Sequence, residues 1–159
     1  MSEKGDLAKQ YFLQGYNCTQ AVVLAFEEEL SLSRDELLKA ALPFGGGLGR
    51  QRLVCGTVCG MCMLAGLLYG YAQPGKGKSE VYKIEQELCA TFRERHGSLI
   101  CMELLKGITS DCSPRAEERT PEYYRKRPCP DLAKEAAEIF EAYWKAHPVE
   151  AFRERIEGK

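Results

Sequence analysis

The sequence predicts an all-α fold, a single-domain helical bundle with a buried central helix at about residues 53–69. Apolar residues recur at helical spacing along most of the chain, no stretch alternates with a period of two, and residues 53–72 carry no charged side chain. Because 159 residues with 45% hydrophobic composition suffice for one core, we expect a single all-helical domain over residues 1–159 that carries a cysteine site.

Capping residues and helix breakers place the elements along the chain. Asn17 and Ser33 are good N-caps, Pro43 ends the helix that follows Ser33, and Gly97 provides a C-terminal stop. The predicted helices cover about residues 6–14, 18–30, 34–42, 53–69, 79–96, 99–106, 130–146 and 149–157. A loop is predicted at the glycine-rich residues 44–50, and a long loop with room for one helical turn at about residues 108–130.

Charge and hydropathy argue against two classes of partner. The 22 basic and 23 acidic residues almost cancel, so we expect no nucleic-acid partner. The uncharged residues 53–72 have the length of a membrane span, and Gly56 and Gly60 form a G-x-x-x-G motif. The segment is diluted by glycine, threonine and cysteine, and the other helices each need a central partner for one apolar face. We therefore expect a buried core helix and no membrane partner.

Eight cysteines are unusually many for a domain of this size. The first residues lack the apolar core of a signal sequence, which predicts a cytoplasmic location. Thiols stay reduced in that compartment, so clustered cysteines are more readily interpreted as metal ligands or redox groups than as structural disulfides.

Four cysteines lie at predicted helix starts. These helix-start cysteines are Cys18, Cys55, Cys101 and Cys129. The partial positive charge of a helix N-terminus stabilises a thiolate, and several converging N-termini would also stabilise an iron–sulfur cluster, which carries net negative charge. We expect these four side chains to meet at one end of the bundle and to bind a metal or cluster.

The other cysteines allow different interpretations. Cys59 and Cys62 follow Cys55 in a C-x-x-x-C-x-x-C pattern on one helical face, which makes them alternative ligands or thiols close to the site. Cys89 lies on an apolar helix face and is predicted to pack as a small core residue. Cys112 falls in the polar loop, where an incidental exposed thiol is expected.

The glycine run and the arginines beside it leave two alternatives open. Residues 45–49 either present backbone N–H groups to an anion or form a tight bend that lets helices approach. Arg50 and Arg52 either bind an anionic ligand or are solvated.

Five short motifs carry a resemblance to a known family. They are G-Y-N-C-T-Q-A-V from residue 15, F-G-G-G-L-G-R from 44, V-C-G-T-V-C-G from 54, G-S-L-I-C from 97 and R-P-C from 127. The chain resembles the C_GCAxxG_C_C family of redox-active proteins from bacteria and archaea. The family's four signature cysteines fall on the four helix-start cysteines. Thr57 stands where alanine is usual, and Cys59 and Cys62 are additional.

The resemblance implies redox activity with a bound prosthetic group. A similar domain occurs in split-Soret cytochromes, which carry an iron–sulfur cluster beside haem. The leading hypothesis is a small electron-transfer protein in which the four helix-start cysteines ligate a [2Fe-2S] or [4Fe-4S] cluster. The alternatives are a thiol–disulfide oxidoreductase, with Cys18 paired to Cys55 or Cys101 to Cys129 and no cofactor, and a structural zinc module. A redox partner protein is expected but not identified by the sequence, and a homodimer stays open.

Overall fold

The computed structural model describes residues 2–158, which form an all-α bundle as predicted. The α-helices are α1 (Glu3–Leu13), α2 (Cys18–Leu24), α3 (Arg34–Ala41), α4 (Gly45–Leu48), α5 (Gly56–Tyr69), α6 (Lys78–His96), α7 (Cys101–Leu104), α8 (Pro121–Lys126), α9 (Cys129–Ala146) and α10 (Val149–Glu157). Short 3₁₀ turns lie at Glu27–Glu29 and Leu42–Phe44. Over residues 2–158, the β-type pairing is limited to one isolated bridge between Val54 and Ile100.

The predicted N-caps at Asn17 and Ser33 are confirmed. Asn17 forms a capping box in which its side chain accepts from the backbone N–H of Gln20 at 2.9 Å and the Gln20 side chain accepts from the Asn17 N–H at 3.0 Å. Ser33 forms the same box with Glu36. The helix after Asn17 is shorter than the predicted 18–30, because α2 ends at Leu24 and a 3₁₀ turn follows.

Helix α5 is the central element of the bundle. It packs against α2, α6, α9 and α10, and Met61, Leu64 and Tyr69 are fully buried. It begins at Gly56, later than the predicted residue 53, because the preceding residues are extended and hydrogen-bonded to another segment. The N–H of Cys55 donates to the Leu99 carbonyl at 2.7 Å. The Leu53 carbonyl accepts a hydrogen bond from the segment that follows Leu99. Backbone groups committed to such bonds cannot extend the helix.

The G-x-x-x-G motif packs α5 against α2. A Cβ atom added at Gly60 would lie 2.8 Å from the Cβ of Val22, and one added at Gly56 would lie 2.2 Å from the Sγ of Cys18. The two glycines therefore allow a close approach between two helices of the core. No helix in the described part of the chain combines the length and apolarity needed to cross a membrane.

The long polar loop is fastened to the bundle by Arg119. Its guanidinium donates to the carbonyls of Phe12 and Tyr16, each at 3.1 Å, and lies over the Phe12 ring at 4.3 Å from the centroid. The predicted helical turn within the loop is α8, which Thr120 caps. These contacts hold the segment before α8 beside the start of α2.

Candidate functional site

The four helix-start cysteines line one cavity of about 520 Å³. Cys18, Cys101 and Cys129 are the first residues of α2, α7 and α9, and Cys55 is the N-cap of α5. The fold therefore brings four helix N-termini, distant in sequence, to the wall of a single space. We call this space the four-cysteine cavity.

Burial and neighbouring side chains shift the pKa values of three of these thiols. Burial raises the pKa of Cys55 above its ordinary value, and the neighbouring Cys18 raises it further. Burial likewise raises the pKa of Cys129 to about 12 and, against the opposing effect of Arg52, raises that of Cys101. In the protein alone these three thiols are therefore harder to ionise than an ordinary cysteine, and a cation in the cavity would favour their thiolate forms.

Close contacts fix the position of the thiols. The Sγ atom of Cys55 lies 3.1 Å from the hydroxyl of Thr57, so the threonine that departs from the family pattern touches a signature cysteine. The Thr19 hydroxyl donates to the Gly56 carbonyl at 2.8 Å and joins the starts of α2 and α5.

Two arginines are buried beside the cavity. Arg52 is 5% exposed and Arg127 is 7% exposed. The Nη1 atom of Arg52 lies 4.0 Å from the Sγ of Cys101, and its Nη2 atom has no hydrogen-bond acceptor among the described residues. The Glu117 carboxylate lies 3.6 Å from this Nη2 atom, which balances part of the charge but is too far for a hydrogen bond, so the buried donor still favours a further anionic group in the cavity. Because the Arg52 side chain is buried, the alternative that it is only solvated is excluded.

The glycine run, which includes the short element α4, has left-handed backbone and is a tight bend rather than an ordinary α-helix, in agreement with the loop predicted there. Gly46, Gly47, Leu48 and Arg50 have φ between 66° and 73°, and Arg52 has φ of 61°. Within the run of residues 45–49, the backbone N–H groups of Gly45 and Gly49 donate to the carbonyls of Leu42 and Pro43, so these two groups are not available to an anion. Left-handed backbone costs about 1–2 kcal/mol at each residue that is not glycine. This bend directs the Arg52 side chain into the cavity, which the sequence pattern alone did not show.

Glu117 joins the polar loop to the arginines of the cavity. Its Oε1 atom lies 3.1 Å from Arg50 and 3.6 Å from Arg52, and it also accepts a hydrogen bond from Arg127. Burial opposes the charged carboxylate, but the contacts with Arg127 and Arg50 lower the pKa of Glu117. Arg127 belongs to the R-P-C motif before α9 and could have been noticed in the sequence. Glu117 carries no such signal.

The remaining cysteines do not line the four-cysteine cavity. Cys59 and Cys62 are partly exposed on α5, and Cys112 is exposed in the polar loop. Cys89 packs against the hydrophobic core, as the sequence indicates. It is half-buried, and its helix α6 packs against α5, which carries Cys62.

The thiols surround the cavity without converging on a point. Between residues 2 and 158, no three cysteine, histidine or carboxylate side chains are placed to hold one metal ion. A tetrahedral zinc site needs its sulfurs about 2.3 Å from a common centre. A cluster of several irons is wider, because its cysteines bind different atoms. The cavity and its donors therefore fit a cluster better than a single ion.

The fold and the cavity define a class: all-helical proteins that bring cysteines from distant helix starts to one cavity. The chain belongs to the family described as "Putative redox-active protein (C_GCAxxG_C_C)", whose family model matches residues 16–143. The resemblance seen in the sequence motifs is thus confirmed, and the match covers most of the chain. No curated protein and no solved structure matches the chain.

Proposed function

We propose that this protein transfers electrons by means of an iron–sulfur cluster held by the four helix-start cysteines, in the reducing cytoplasm. The observation that carries the proposal is that four thiols from distant parts of the chain line one cavity of about 520 Å³. Sulfur ligands of this kind suit iron–sulfur clusters.

The surroundings of the cavity match the charge of such a group. A cluster with four thiolate ligands is anionic, and four helix N-termini together with Arg52 and Arg127 offset that charge in a partly dry site. When bound, the cluster supplies a one-electron carrier. The chain's own residues hold it, exclude water and set the local charge.

Two observations favour the cluster over its alternatives. Zinc would need sulfurs that converge, whereas the four thiols surround an open space. A thiol–disulfide oxidoreductase would need a nucleophile of low pKa, whereas burial raises the pKa values of Cys55, Cys101 and Cys129.

Anaerobic purification followed by elemental analysis tests the proposal. We expect a brown protein that contains iron and acid-labile sulfide, and an absorbance that Cys18→Ser or Cys129→Ser abolishes. Cys112→Ser removes an exposed thiol outside the cavity and is the matched control, so its iron content should equal that of the parent. A colourless protein after anaerobic reconstitution with iron and sulfide, or one that holds zinc alone, contradicts the proposal.

A further inference from the structure

Three arginines converge on one carboxylate oxygen in the wall of the four-cysteine cavity. The Oε1 atom of Glu117 lies 3.1 Å from Arg50 and 3.6 Å from Arg52, and it accepts a hydrogen bond from Arg127. We call Arg50, Arg52 and Arg127 the arginine triad. Their side chains are 13%, 5% and 4% exposed in that order, whereas the Glu117 side chain is 37% exposed. The guanidinium groups are therefore enclosed by the protein, and the carboxylate that they share reaches solvent.

The donors of Arg52 show that this carboxylate does not satisfy the triad. The Nε atom of Arg52 donates to the Asp111 carbonyl at 3.1 Å, and its Nη1 atom lies 4.0 Å from the Sγ of Cys101. Its Nη2 atom is buried without an acceptor among the described residues, because the Glu117 oxygen at 3.6 Å is too far to accept a hydrogen bond. A buried donor in this state is costly until an acceptor reaches it, which favours an acceptor from outside the chain.

The charges at the triad are also unbalanced. Three guanidinium groups face two carboxylates, those of Glu117 and Asp111, and the Asp111 side chain is 52% exposed. If Glu117 moved away, the charges left behind would match a dianion. One oxygen of Glu117 serves three guanidinium groups, whereas a tetrahedral oxyanion offers a separate oxygen to each. The geometry and the charge therefore both suit a ligand of that shape.

We propose that the arginine triad binds a tetrahedral dianionic oxyanion, free or as a phosphate monoester, and that Glu117 occupies this site when the ligand is absent. Binding of the oxyanion releases Glu117 and the polar loop that carries it. Glu117 and Arg127 line both the four-cysteine cavity and a neighbouring cavity of about 670 Å³, so release of the carboxylate connects the two spaces. The site consists of this chain's own side chains, and the inference does not depend on the presence of an iron–sulfur cluster.

Competition between Glu117 and the ligand makes two effects reciprocal. A change that weakens the contacts of Glu117 tightens ligand binding, and the ligand in turn loosens the loop. A ligand that only stabilised the fold would have the opposite effect on the loop, because it would slow hydrogen exchange there.

Calorimetric titration of the full-length protein with sodium sulfate and with glycerol 3-phosphate, at pH 7 and constant ionic strength, tests the inference. We expect saturable one-to-one binding of at least one of the two, and the tighter one identifies the source of the oxyanion. Nitrate, a planar monoanion, should bind at least about tenfold more weakly. Absence of saturable binding by both probes, or equally tight binding of nitrate, overturns the proposal.

Iron analysis of the same samples separates this inference from the proposed function. Oxyanion binding by a protein that never takes up iron overturns only the proposed function. Iron loading without oxyanion binding to the iron-free chain overturns only the inference.

Three substitutions test whether the ligand lies at the triad. Arg52→Gln should weaken binding by about tenfold or more, because it removes a buried charge and the unsatisfied donor. Glu117→Gln should tighten binding by about fivefold, because the competing group loses its charge, and a misfolded protein cannot produce such a gain. Glu118→Gln changes an exposed neighbouring carboxylate and should alter affinity by less than about twofold. Equal affinity of Glu117→Gln and the parent contradicts the competition.

Hydrogen exchange of residues 108–120 shows whether Glu117 leaves the triad. At a saturating concentration of the bound probe and constant pH, exchange in this segment should be faster than in chloride of equal ionic strength. Slower or unchanged exchange means that the oxyanion does not replace Glu117, and it overturns the proposal.

Discussion

Gly56 lies directly against the thiol of Cys18, and a Cβ atom at position 56 would be 2.2 Å from that Sγ atom. The same Cβ would be 2.7 Å from the Thr19 hydroxyl. A side chain at position 56 therefore cannot coexist with the Cys18 thiol in the present packing of α2 on α5. The glycine that follows Cys55 in the family motif thus has a physical reason in the position of a second signature cysteine.

Gly56→Ala should displace the Cys18 thiol and reduce iron loading. Overpacking of this kind costs about 1–3 kcal/mol. For a protein of this size the melting temperature should fall by about 3–10 °C. Calorimetry and iron analysis measure the two effects.

Gly66→Ala is the matched control for this substitution. Gly66 lies on the same helix, is exposed, and has no heavy atom within 4 Å of an added Cβ. The change should stabilise the protein by about 0.5–1 kcal/mol and leave iron loading intact. If both alanine variants load iron equally, the role assigned to Gly56 is wrong.

Arg52→Gln should lower the reduction potential of the bound cluster. The guanidinium lies 4.0 Å from the Cys101 sulfur and is buried, so its charge stabilises the more negative, reduced state. A loss of about 1 kcal/mol corresponds to a shift of about 40 mV for a one-electron couple. Protein-film voltammetry measures it. Lys83→Gln removes an exposed positive charge from α6, and its potential should match that of the parent.

Retention of iron should increase with pH. Burial raises the pKa values of Cys55, Cys101 and Cys129, so protons compete with the metal for these sulfurs at neutral pH and compete less as the pH rises. Transfer of iron to a chelator under anaerobic conditions should be more extensive at pH 6 than at pH 8.5. Circular dichroism checks that the fold is the same at both values. Transfer that is independent of pH over this range contradicts the ligand assignment.

Glu117→Gln should loosen the polar loop over the cavity. The carboxylate is shared by Arg50, Arg52 and Arg127, and the partly exposed group should contribute about 1 kcal/mol to the closed loop. Hydrogen exchange of residues 108–120 should become faster. Glu118→Gln changes the exposed neighbouring carboxylate and should leave exchange in this segment as it is in the parent.

Acid should have the same effect as Glu117→Gln. The folded-state pKa of Glu117 lies below its ordinary value, so its contribution is complete above the unfolded-state pKa of about 4.5 and is lost as the pH falls through the folded-state pKa. The protection factors of residues 108–120 in the parent, which are corrected for the intrinsic exchange rate at each pH, should therefore fall below about pH 4.5. The Gln variant should show little of this dependence, and an equally steep dependence in both proteins would refute the assignment.

Local signals in the sequence were sufficient to predict the helices and the positions of the cysteines along them. The capping boxes at Asn17 and Ser33 and the stop at Gly97 depend on neighbouring residues, which is why they could be recognised in advance. The start of α5 was misplaced by three residues, because the preceding segment pairs with Leu99 and its neighbours, which lie far along the chain.

Long-range packing accounts for what could not be recognised. The shape of the cavity that the four expected helix starts line, the burial of Arg52 by a left-handed bend and the contacts of Glu117 with three arginines each require a particular arrangement of helices. Helix capping is a short-range hydrogen-bond preference, readable from adjacent residues. Which helix ends meet, and which thiols lose water, depends on how apolar faces from the whole chain fill a common core, and that competition has no local signature.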